Sequence, residues 1–437
     1  MESKKLTTSE NITTCGCPNC LSADAQTIAT LPATSGYTQS SADGLLSGYQ
    51  WKNDTKGLTL TYKFHQSYQS YWGFDTTTKY SPVGMTAFNP AQENAVHSIL
   101  DQIASFTNIT FKEVTGNANP EIGFINANAA QTTLAGTTYY PTGWEGAGDV
   151  FINKNFWGAS GGYDQGEKNY FILMHEIGHS LGLQHSFDGL SFGYQTEQYS
   201  VMAYDNSSWD SVYASTYMLF DVAALQKLYG ANMNYNKGDN VYIAEAGKAV
   251  TIWDAGGNDT LDASAQSEDV TLNLQDGSYS SVGLHENIAI AYHAVIENAI
   301  GGSGNDHLNG NQFSNSLTGN NGNDVIYGGG GFDLLSGGYG ADEFYFDLTA
   351  FESVDIVTDF SFLEGDRINI ADLLFGYDAL QSAIDAFVTF DGKGSETVMS
   401  VDRDGSGTEY GSQAIAIFEG MGEIDVSALL SAGQLVA

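Results

Sequence analysis

The chain has 437 residues, with 52 Asp and Glu against 15 Lys and Arg, and a formal net charge of −37. Such acidity excludes nucleic acid as a partner, because phosphate binding needs a basic face, and it disfavours an anionic membrane surface. No stretch approaches the ~18 apolar residues of a membrane span, so we expect no membrane partner. Metal cations are the natural partners of this chain, whose length allows two or three domains.

Residues 1–36 are polar, lack hydrophobic periodicity and are typical of a flexible leader or propeptide. They contain all three cysteines, in the stretch CGCPNC (15–20). Cys17 and Cys20 form a C-x-x-C pair that could close a disulfide, and the cluster could also bind a metal alone. No apolar run follows the two N-terminal lysines, so we expect no cleavable secretory signal.

Residues 37–245 have the mixed α+β texture of a globular domain. Asn89 as N-cap and Pro90 in the first turn predict a helix there. The segments ITFKEV (109–114), IGFINA (122–127) and DVFINK (149–154) are predicted strands. Two further helices are predicted over 168–181 and 220–230, the second closed by Gly230.

The first of these helices carries HEIGHSLGLQH (175–185), which fits H-E-x-x-H-x-x-G-x-x-H. His175 and His179 lie one helical turn apart, so both imidazoles leave the same face. Gly182 can end the helix with positive φ, and His185 can then return as a third ligand. Three nitrogen ligands leave one zinc position open for water, and Glu176 is placed to act as general base on it. We predict one catalytic zinc ion.

Residues 246–437 change to short strands rich in glycine and aspartate, with no Lys or Arg between Lys248 and Arg367. Five nine-residue units run from 301 to 345 and follow G-G-x-G-x-D-x-U-x, where U is a large apolar residue. In the second unit Asn315 replaces the aspartate. Glycine carbonyls and aspartate oxygens are the hard ligands that Ca²⁺ prefers, so we predict several structural calcium ions.

The predicted calcium residues belong to these units and to a similar turn, DAGGNDTLD (254–262). They are Gly257, Asp259, Gly301, Gly302, Gly304, Asp306, Gly319, Gly322, Asp324, Gly328, Gly330, Asp333, Gly337, Gly338, Gly340 and Asp342.

With these motifs the sequence resembles the metzincins, and more closely the serralysin-type zinc metalloproteases. The stretch YSVMAY (199–204) is similar to the methionine turn of that family. The resemblance implies that Met202 lies under the zinc site and that Tyr204 binds the metal or assists catalysis. It also implies an α+β zincin (metzincin) catalytic domain followed by an all-β parallel β-roll domain with RTX calcium-binding repeats.

From this resemblance we expect a secreted, extracellular monomeric zinc endopeptidase acting on protein or peptide substrates. The implied partners are a type I secretion apparatus, which reads a C-terminal signal, and a proteinaceous inhibitor. Two positions depart from the family pattern. Ser186 stands where proline is frequent, and the ending SAGQLVA lacks an acidic-plus-hydrophobic signal.

CGCPN (15–19) resembles the cysteine switch of the matrixins, with Asn19 for Asp and Thr13-Thr14 for the preceding Pro-Arg. This resemblance implies a zymogen in which Cys15 or Cys17 occupies the fourth zinc position. The disulfide and the independent metal site remain alternatives.

Two other functions compete with the protease. Nonapeptide repeats also follow calcium-dependent lipases, and G-x-S-x-G occurs at 158–162 and at 189–193. Neither match follows a clear predicted strand and enters a helix. A calcium-binding adhesin with an inactive protease domain is the other alternative, and the intact Glu176 argues against it.

Overall fold

The structure, a computed structural model, describes residues 39–52, 57–72, 84–128, 134–156, 162–205, 209, 212–378, 382–405, 407, 409–422 and 424–437. The cysteine cluster, and most of the G-x-S-x-G match at 158–162, lie outside these residues. Within them, no helix combines the length and the apolar character needed to cross a bilayer. The chain divides into two compact units, one with the described residues up to 232 and 249–251, the other with 233–248 and 252–437. The leader and domain boundaries set from sequence stay a prediction.

Within its described residues, the first unit has one sheet of five strands, together with four α-helices. The strands are β1 (Leu58–Phe64), β2 (Ile109–Glu113), β3 (Ile122–Ala127), β4 (Gly136–Thr138) and β5 (Val150–Asn153). The helices are α1 (Pro90–Phe106), α2 (Lys168–Ser180), α3 (Ser186–Gly189) and α4 (Leu219–Tyr229). The strands form one sheet in the order β2-β1-β3-β5-β4, in which only β4 runs antiparallel to its neighbour.

Local sequence explains where α1 begins. The Asn89 side chain accepts from Gln92 N at 3.0 Å, and Gln92 Oε1 accepts from Asn89 N at 3.0 Å. This reciprocal capping box satisfies two otherwise unpaired donors, and Pro90 fits the first turn. One helix face is buried, as its 3.6-residue periodicity predicts. The helices expected over 168–181 and 220–230 are likewise confirmed as α2 and α4, and Gly230 ends α4 with φ +80°.

The remaining described residues form mostly short strands, with one α-helix among them, α5 (Val426–Ala432). The strands are β6 (Val241–Ile243), β7 (Val250–Ile252), β8 (Thr260–Asp262), β9 (Thr271–Asn273), β10 (Tyr279–Ser280), β11 (Ile288–Ile290), β12 (Asn298–Ile300), β13 (His307–Asn311), β14 (Ser316–Asn321), β15 (Val325–Gly329), β16 (Leu334–Tyr339), β17 (Glu343–Tyr345), β18 (Asp355–Val357), β19 (Arg367–Asn369), β20 (Val388–Lys393), β21 (Glu396–Val401), β22 (Gln413–Glu419) and β23 (Leu435–Val436).

Successive repeat units contribute alternately to two sheets of mainly parallel strands. One sheet has the order β20-β21-β22-β18-β16-β14-β12-β8-β6, and the other has the order β23-β19-β17-β15-β13-β9. Each repeat strand therefore pairs with the second strand along the chain, so that Leu308 lies opposite Ile326 and Leu317 opposite Leu335. The apolar residue of every unit is fully buried, which supplies the core of this region.

Candidate metal centre

Three histidines converge in the first unit. His175 and His179 are buried on α2, and His185 follows the helix as the residue before α3. One ring nitrogen from each lies within 4.8 Å of the others, and His179 Nε2 is 3.1 Å from His185 Nε2. The predicted ligand set is therefore brought together by the fold.

The hydrogen bonds of two rings fix which nitrogen faces the centre. His175 Nδ1 donates to Val201 O at 2.8 Å, and His179 Nδ1 donates to Leu183 O at 2.7 Å. Each Nε2 thus keeps its lone pair for a metal, in the arrangement that second-shell carbonyls give histidine ligands. Burial, followed by the neighbouring imidazoles, lowers the pKa of His175 well below its usual value and that of His185 to about 3. Neutral imidazoles are what zinc requires, so the residues fit this metal.

The turn after α2 depends on Gly182, which has φ +100° as predicted. A Cβ at this position would lie 2.1 Å from Tyr49 O, so glycine is required for backbone conformation and for space. Ser47 N donates to Gly182 O at 3.0 Å and Gln184 N donates to Leu45 O at 2.7 Å. The segment around 45–49 therefore holds the bend that returns His185.

Glu176 lies between the two helical histidines and contacts strand β4. Its Oε2 accepts from Thr138 Oγ1 at 2.8 Å, and a Cβ on Gly136 would lie 2.6 Å from its Oε1. Thr138 holds one carboxylate oxygen in place, while Gly136 leaves space beside the other. Sequence reasoning missed both residues, because nothing in GTT indicates contact with a helix 38 positions later.

The methionine turn packs directly under α2. Met202 is fully buried, and its Sδ would lie 2.6 Å from a Cβ placed on Gly178. Met202 O accepts from Ser186 N at 3.1 Å, which ties the turn to the residue after the third histidine. Gly178 was missed, although a glycine inside a helix is itself a signal of close packing.

Asp221 organises the same turn from the first turn of α4. Its carboxylate accepts from Ser200 Oγ at 2.6 Å, from Val201 N at 2.7 Å and from Met218 N at 3.0 Å. Burial raises the pKa of Asp221 to about 7, against these hydrogen bonds, which lower it. Because Val201 O accepts from His175, Asp221 is connected to a candidate metal ligand through the backbone. It too was missed from sequence.

Tyr204 contacts two of the three histidines. Its hydroxyl hydrogen-bonds with His185 Nε2, and its ring stacks on His175 with the centroids 5.5 Å apart. His185 Nδ1 lies 3.5 Å from Asp188 Oδ2. Tyr204 therefore lies beside two of the three histidines, and its predicted role at a metal stays a prediction.

A second group of candidate ligands runs along the repeats of the other unit. Asp324 Oδ1 accepts from Asp306 N at 2.7 Å, and Asp342 Oδ1 accepts from Asp324 N at 2.8 Å. Asp333 Oδ1 accepts from Asn315 N at 2.8 Å in the same way. The second oxygen of Asp324, Asp333 and Asp342 is buried without a hydrogen-bond partner in the part of the chain described here. Buried unpaired carboxylate oxygens fit a cation.

These hydrogen bonds extend beyond the units found in the sequence. Asp333 N donates to Asp355 Oδ1 at 3.0 Å, and Asp342 N donates to Asp366 Oδ1 at 2.9 Å. Within the described residues, Asp259 Oδ2 is also buried without a hydrogen-bond partner. The aspartate arrangement thus continues where the nine-residue pattern has ended.

Gly330, one of the glycines predicted to bind calcium, lies one residue before the position that Gly322 and Gly340 occupy in their units. A Cβ on Gly322 or Gly340 would lie under 2 Å from a carbonyl of the preceding turn. In the fourth unit the equivalent residue is Gly331, which has φ +95°. A Cβ on Gly331 would lie 2.5 Å from Phe313 C. Gly330 has no neighbour closer than 3.7 Å. The close approach therefore belongs to Gly331 rather than Gly330.

Comparisons with known proteins agree with this geometry. A family model described as matrixin matches residues 60–230, and one described as peptidase M10 serralysin C terminal matches 220–428. The AlgE6R3 subunit of the Azotobacter vinelandii mannuronan C5-epimerase is 27% identical over 31% of this chain and 78% of its own. Its TM-score of 0.17 supports no structural argument.

Three curated relatives are similar over comparable lengths. Serralysin C of Dickeya chrysanthemi is 36% identical over 58% of this chain, and the match spans 59% of the relative. Serralysin A of the same organism is 37% identical, with 58% of each chain covered. Metallopeptidase AprA of Pseudomonas marginalis is 33% identical, over 59% of this chain and 61% of its own. The two adjacent family models and these relatives show that the chain belongs to the serralysin-type metalloproteases.

Proposed function

We propose that the protein is a zinc-dependent endopeptidase. The carrying observation is the convergence of one ring nitrogen from each of His175, His179 and His185. Glu176, the next residue after His175 on α2, has its carboxylate held by Thr138. The chain spans only about 59% of the length of Serralysin C, so the activity rests on this site rather than on the relatives alone. Protein and peptide substrates are the class that the names of those relatives suggest.

His175, His179 and His185 would hold the zinc ion through Nε2. When bound, zinc lowers the pKa of water and polarises the scissile carbonyl. Glu176 Oε1 would take a proton from the attacking water and deliver it to the leaving amine. Thr138 keeps the other carboxylate oxygen occupied, so the proton is taken at a defined atom. Tyr204 OH, released from His185 Nε2, would donate to the oxygen that becomes negative during attack.

Calcium is proposed as the structural partner of the second unit. Asp259, Asp324, Asp333 and Asp342 each have one buried oxygen without a hydrogen-bond partner among the described residues. Burial raises the pKa of Asp324 to about 7 and that of Asp333 to about 7, so their charged forms need compensation. Strands that alternate between two sheets support a parallel β-roll filled with calcium along its turns. Calcium binding would then contribute directly to folding.

Secretion, latency and partners extend this proposal. An acidic unit that folds with millimolar external calcium suits an extracellular enzyme exported by a type I apparatus. A latent zymogen, with Cys15 or Cys17 on the zinc, requires the leader, which lies outside the described residues. Monomeric behaviour and a proteinaceous inhibitor are likewise proposals.

The lipase alternative has less support. In the second G-x-S-x-G match, Gly189 ends α3 and Ser191 precedes a short 3₁₀ turn. A serine nucleophile of that class sits between a strand and a helix, and this serine does not. The adhesin alternative does not explain why Thr138 holds the Glu176 carboxylate, since an inactive domain needs no general base.

The test is hydrolysis of a denatured protein by the full chain loaded with zinc and calcium, beside a version that starts at Ser40. A zinc-selective chelator should abolish cleavage, and a serine-reactive phosphonate should leave it unchanged. Cleavage by the shortened form alone would assign latency to the leader. Cleavage that survives chelation and stops with the phosphonate would replace the protease with the lipase.

A further inference from the structure

The second repeat unit, Gly310 to Thr318, differs from its neighbours at the atoms that would face calcium. In the neighbouring units the sixth residue is an aspartate, and Asp324 and Asp333 each keep one buried oxygen unpaired. In the second unit that residue is Asn315, and the second position is Asn311, as it is Asn320 in the third unit. Both asparagines are at least 95% buried, with 3% and 4% of their surface exposed.

The amide groups of these two asparagines donate to oxygens of the surrounding turns. Asn315 Nδ2 donates to Glu297 O at 3.0 Å and to Asn311 Oδ1 at 3.1 Å. Asn311 Nδ2 donates to Leu274 O at 3.1 Å and to Ile296 O at 2.9 Å. The two buried amides thus donate hydrogen bonds to three backbone carbonyls and one side-chain amide oxygen.

The orientation of Asn315 follows from its partners. Its Oδ1 accepts from Asn311 N at 2.8 Å, and its Nδ2 faces the Glu297 carbonyl. Exchanging the two atoms would set an oxygen against a carbonyl and a nitrogen against an N–H, so the network fixes the assignment. A Cβ on Gly310 would lie 2.4 Å from Asn315 Oδ1, just as a Cβ on Gly319 or Gly328 would lie 2.2 Å from the unpaired Oδ2 of Asp324 or Asp333. Asn315 Oδ1 thus takes the place of an unpaired aspartate oxygen but already accepts a hydrogen bond, and Nδ2 replaces the oxygen that in the aspartates accepts a backbone N–H.

We propose that this unit binds no calcium, because neutral Asn315 leaves no unpaired carboxylate oxygen there and the amides of Asn311 and Asn315 already donate to carbonyls of the surrounding turns. The proposal rests on calcium being bound by the other units, as proposed above. The turn bearing Asn315 is then stabilised by hydrogen bonds that exist at any calcium concentration. The series Asp306, Asp324, Asp342 and Asp366 continues unbroken, whereas the series with Asp333 and Asp355 is interrupted at Asn315.

Calcium stoichiometry of the full-length, zinc-loaded chain tests this. Asn315→Ala and Asp324→Ala form a matched pair, measured by calorimetric titration. Asp324→Ala should bind at least one calcium ion fewer than the wild type, and Asn315→Ala should bind the same number. A lower number for Asn315→Ala, with Asp324→Ala as expected, would make Asn315 a calcium ligand and overturn the inference. A wild type that binds no calcium would instead overturn the proposed calcium role.

A second measurement uses thermal melting in chelator. Asn315→Asp removes two donated hydrogen bonds and places a carboxylate oxygen against two other oxygens, so its melting temperature should fall by several degrees. Asn321→Asp, at an exposed position of the next unit, adds the same charge and should change little. If the two variants melt together in chelator, the amide protons of Asn315 do not stabilise the turn and the inference fails.

Discussion

The candidate zinc ligands and the candidate calcium ligands are held in opposite ways. Burial lowers the pKa of both His175 and His179, and their Nδ1 atoms already donate to backbone carbonyls. Asp324 and Asp333 are buried with one oxygen unpaired, and burial raises the pKa of both carboxyls. The comparison teaches that the first site is organised by the fold itself, whereas the second needs a cation to offset buried charge. Metal removal should therefore affect the two units differently.

The largest expected effect is a loss of hydrolysis rate without a loss of zinc. Glu176→Gln should lower hydrolysis by about 10²–10⁴-fold, because the amide cannot accept a proton from water. Zinc content, measured by elemental analysis, should stay at the wild-type level, since the histidines are held by their own backbone contacts. Glu167→Gln, exposed just before α2, is the matched control and should be as active as the wild type. Near-normal hydrolysis by Glu176→Gln would remove the general base from the account.

The bend after α2 is the next most sensitive feature. Gly182→Ala combines positive φ with a contact of 2.1 Å to Tyr49 O. Gly48→Ala has φ +84° with nothing within 4 Å, so it isolates the conformational cost of about 1–3 kcal/mol. Gly182→Ala should melt well below Gly48→Ala and bind zinc poorly. Equal melting temperatures would mean that Tyr49 does not constrain the bend.

Asp221 tests whether the methionine turn positions a ligand. Asp221→Ala leaves the N–H groups of Val201 and Met218 without their acceptor, at about 1–3 kcal/mol each. We expect zinc affinity to fall about 10–100-fold, as for other residues behind metal ligands. Asp221→Asn keeps an acceptor for both N–H groups and should recover most of the affinity in a zinc competition titration. If both variants bind zinc like the wild type, the connection from Asp221 to His175 does not contribute to zinc affinity.

The smallest effect is expected at Thr138. Thr138→Val is isosteric and removes the hydrogen bond to Glu176, which for a charged partner stabilises by about 1.5–3 kcal/mol. A fall in kcat/KM of about tenfold should follow, with melting unchanged. Thr137→Val on the same strand should leave kcat/KM intact, and an equal loss in both variants would assign the effect to the strand rather than the hydroxyl.

Sequence reasoning worked where chemistry and spacing are local. The histidines, Glu176 and Gly182 fall within eleven residues, and the repeat units carry their apolar residue at a fixed position. It failed where contacts join distant segments, as for Asp221 and Thr138. It also did not predict that the hydrogen-bonded aspartates continue to Asp355 and Asp366. The partners there are 22 and 24 residues apart, whereas those within the repeats are 18 apart. The identity of the donors at Asn315 requires side-chain orientation, which spacing does not contain.

The most direct test of the contrast between the two units is amide hydrogen exchange, followed by mass spectrometry. The zinc-loaded chain would be compared with and without calcium. Removing calcium should strongly increase exchange over residues 319–345 and leave residues 168–185 protected. Equal protection of residues 319–345 in both conditions would contradict the claim that buried aspartates need a cation, and a parallel loss over 168–185 would contradict the claim that the zinc site is organised by the fold alone.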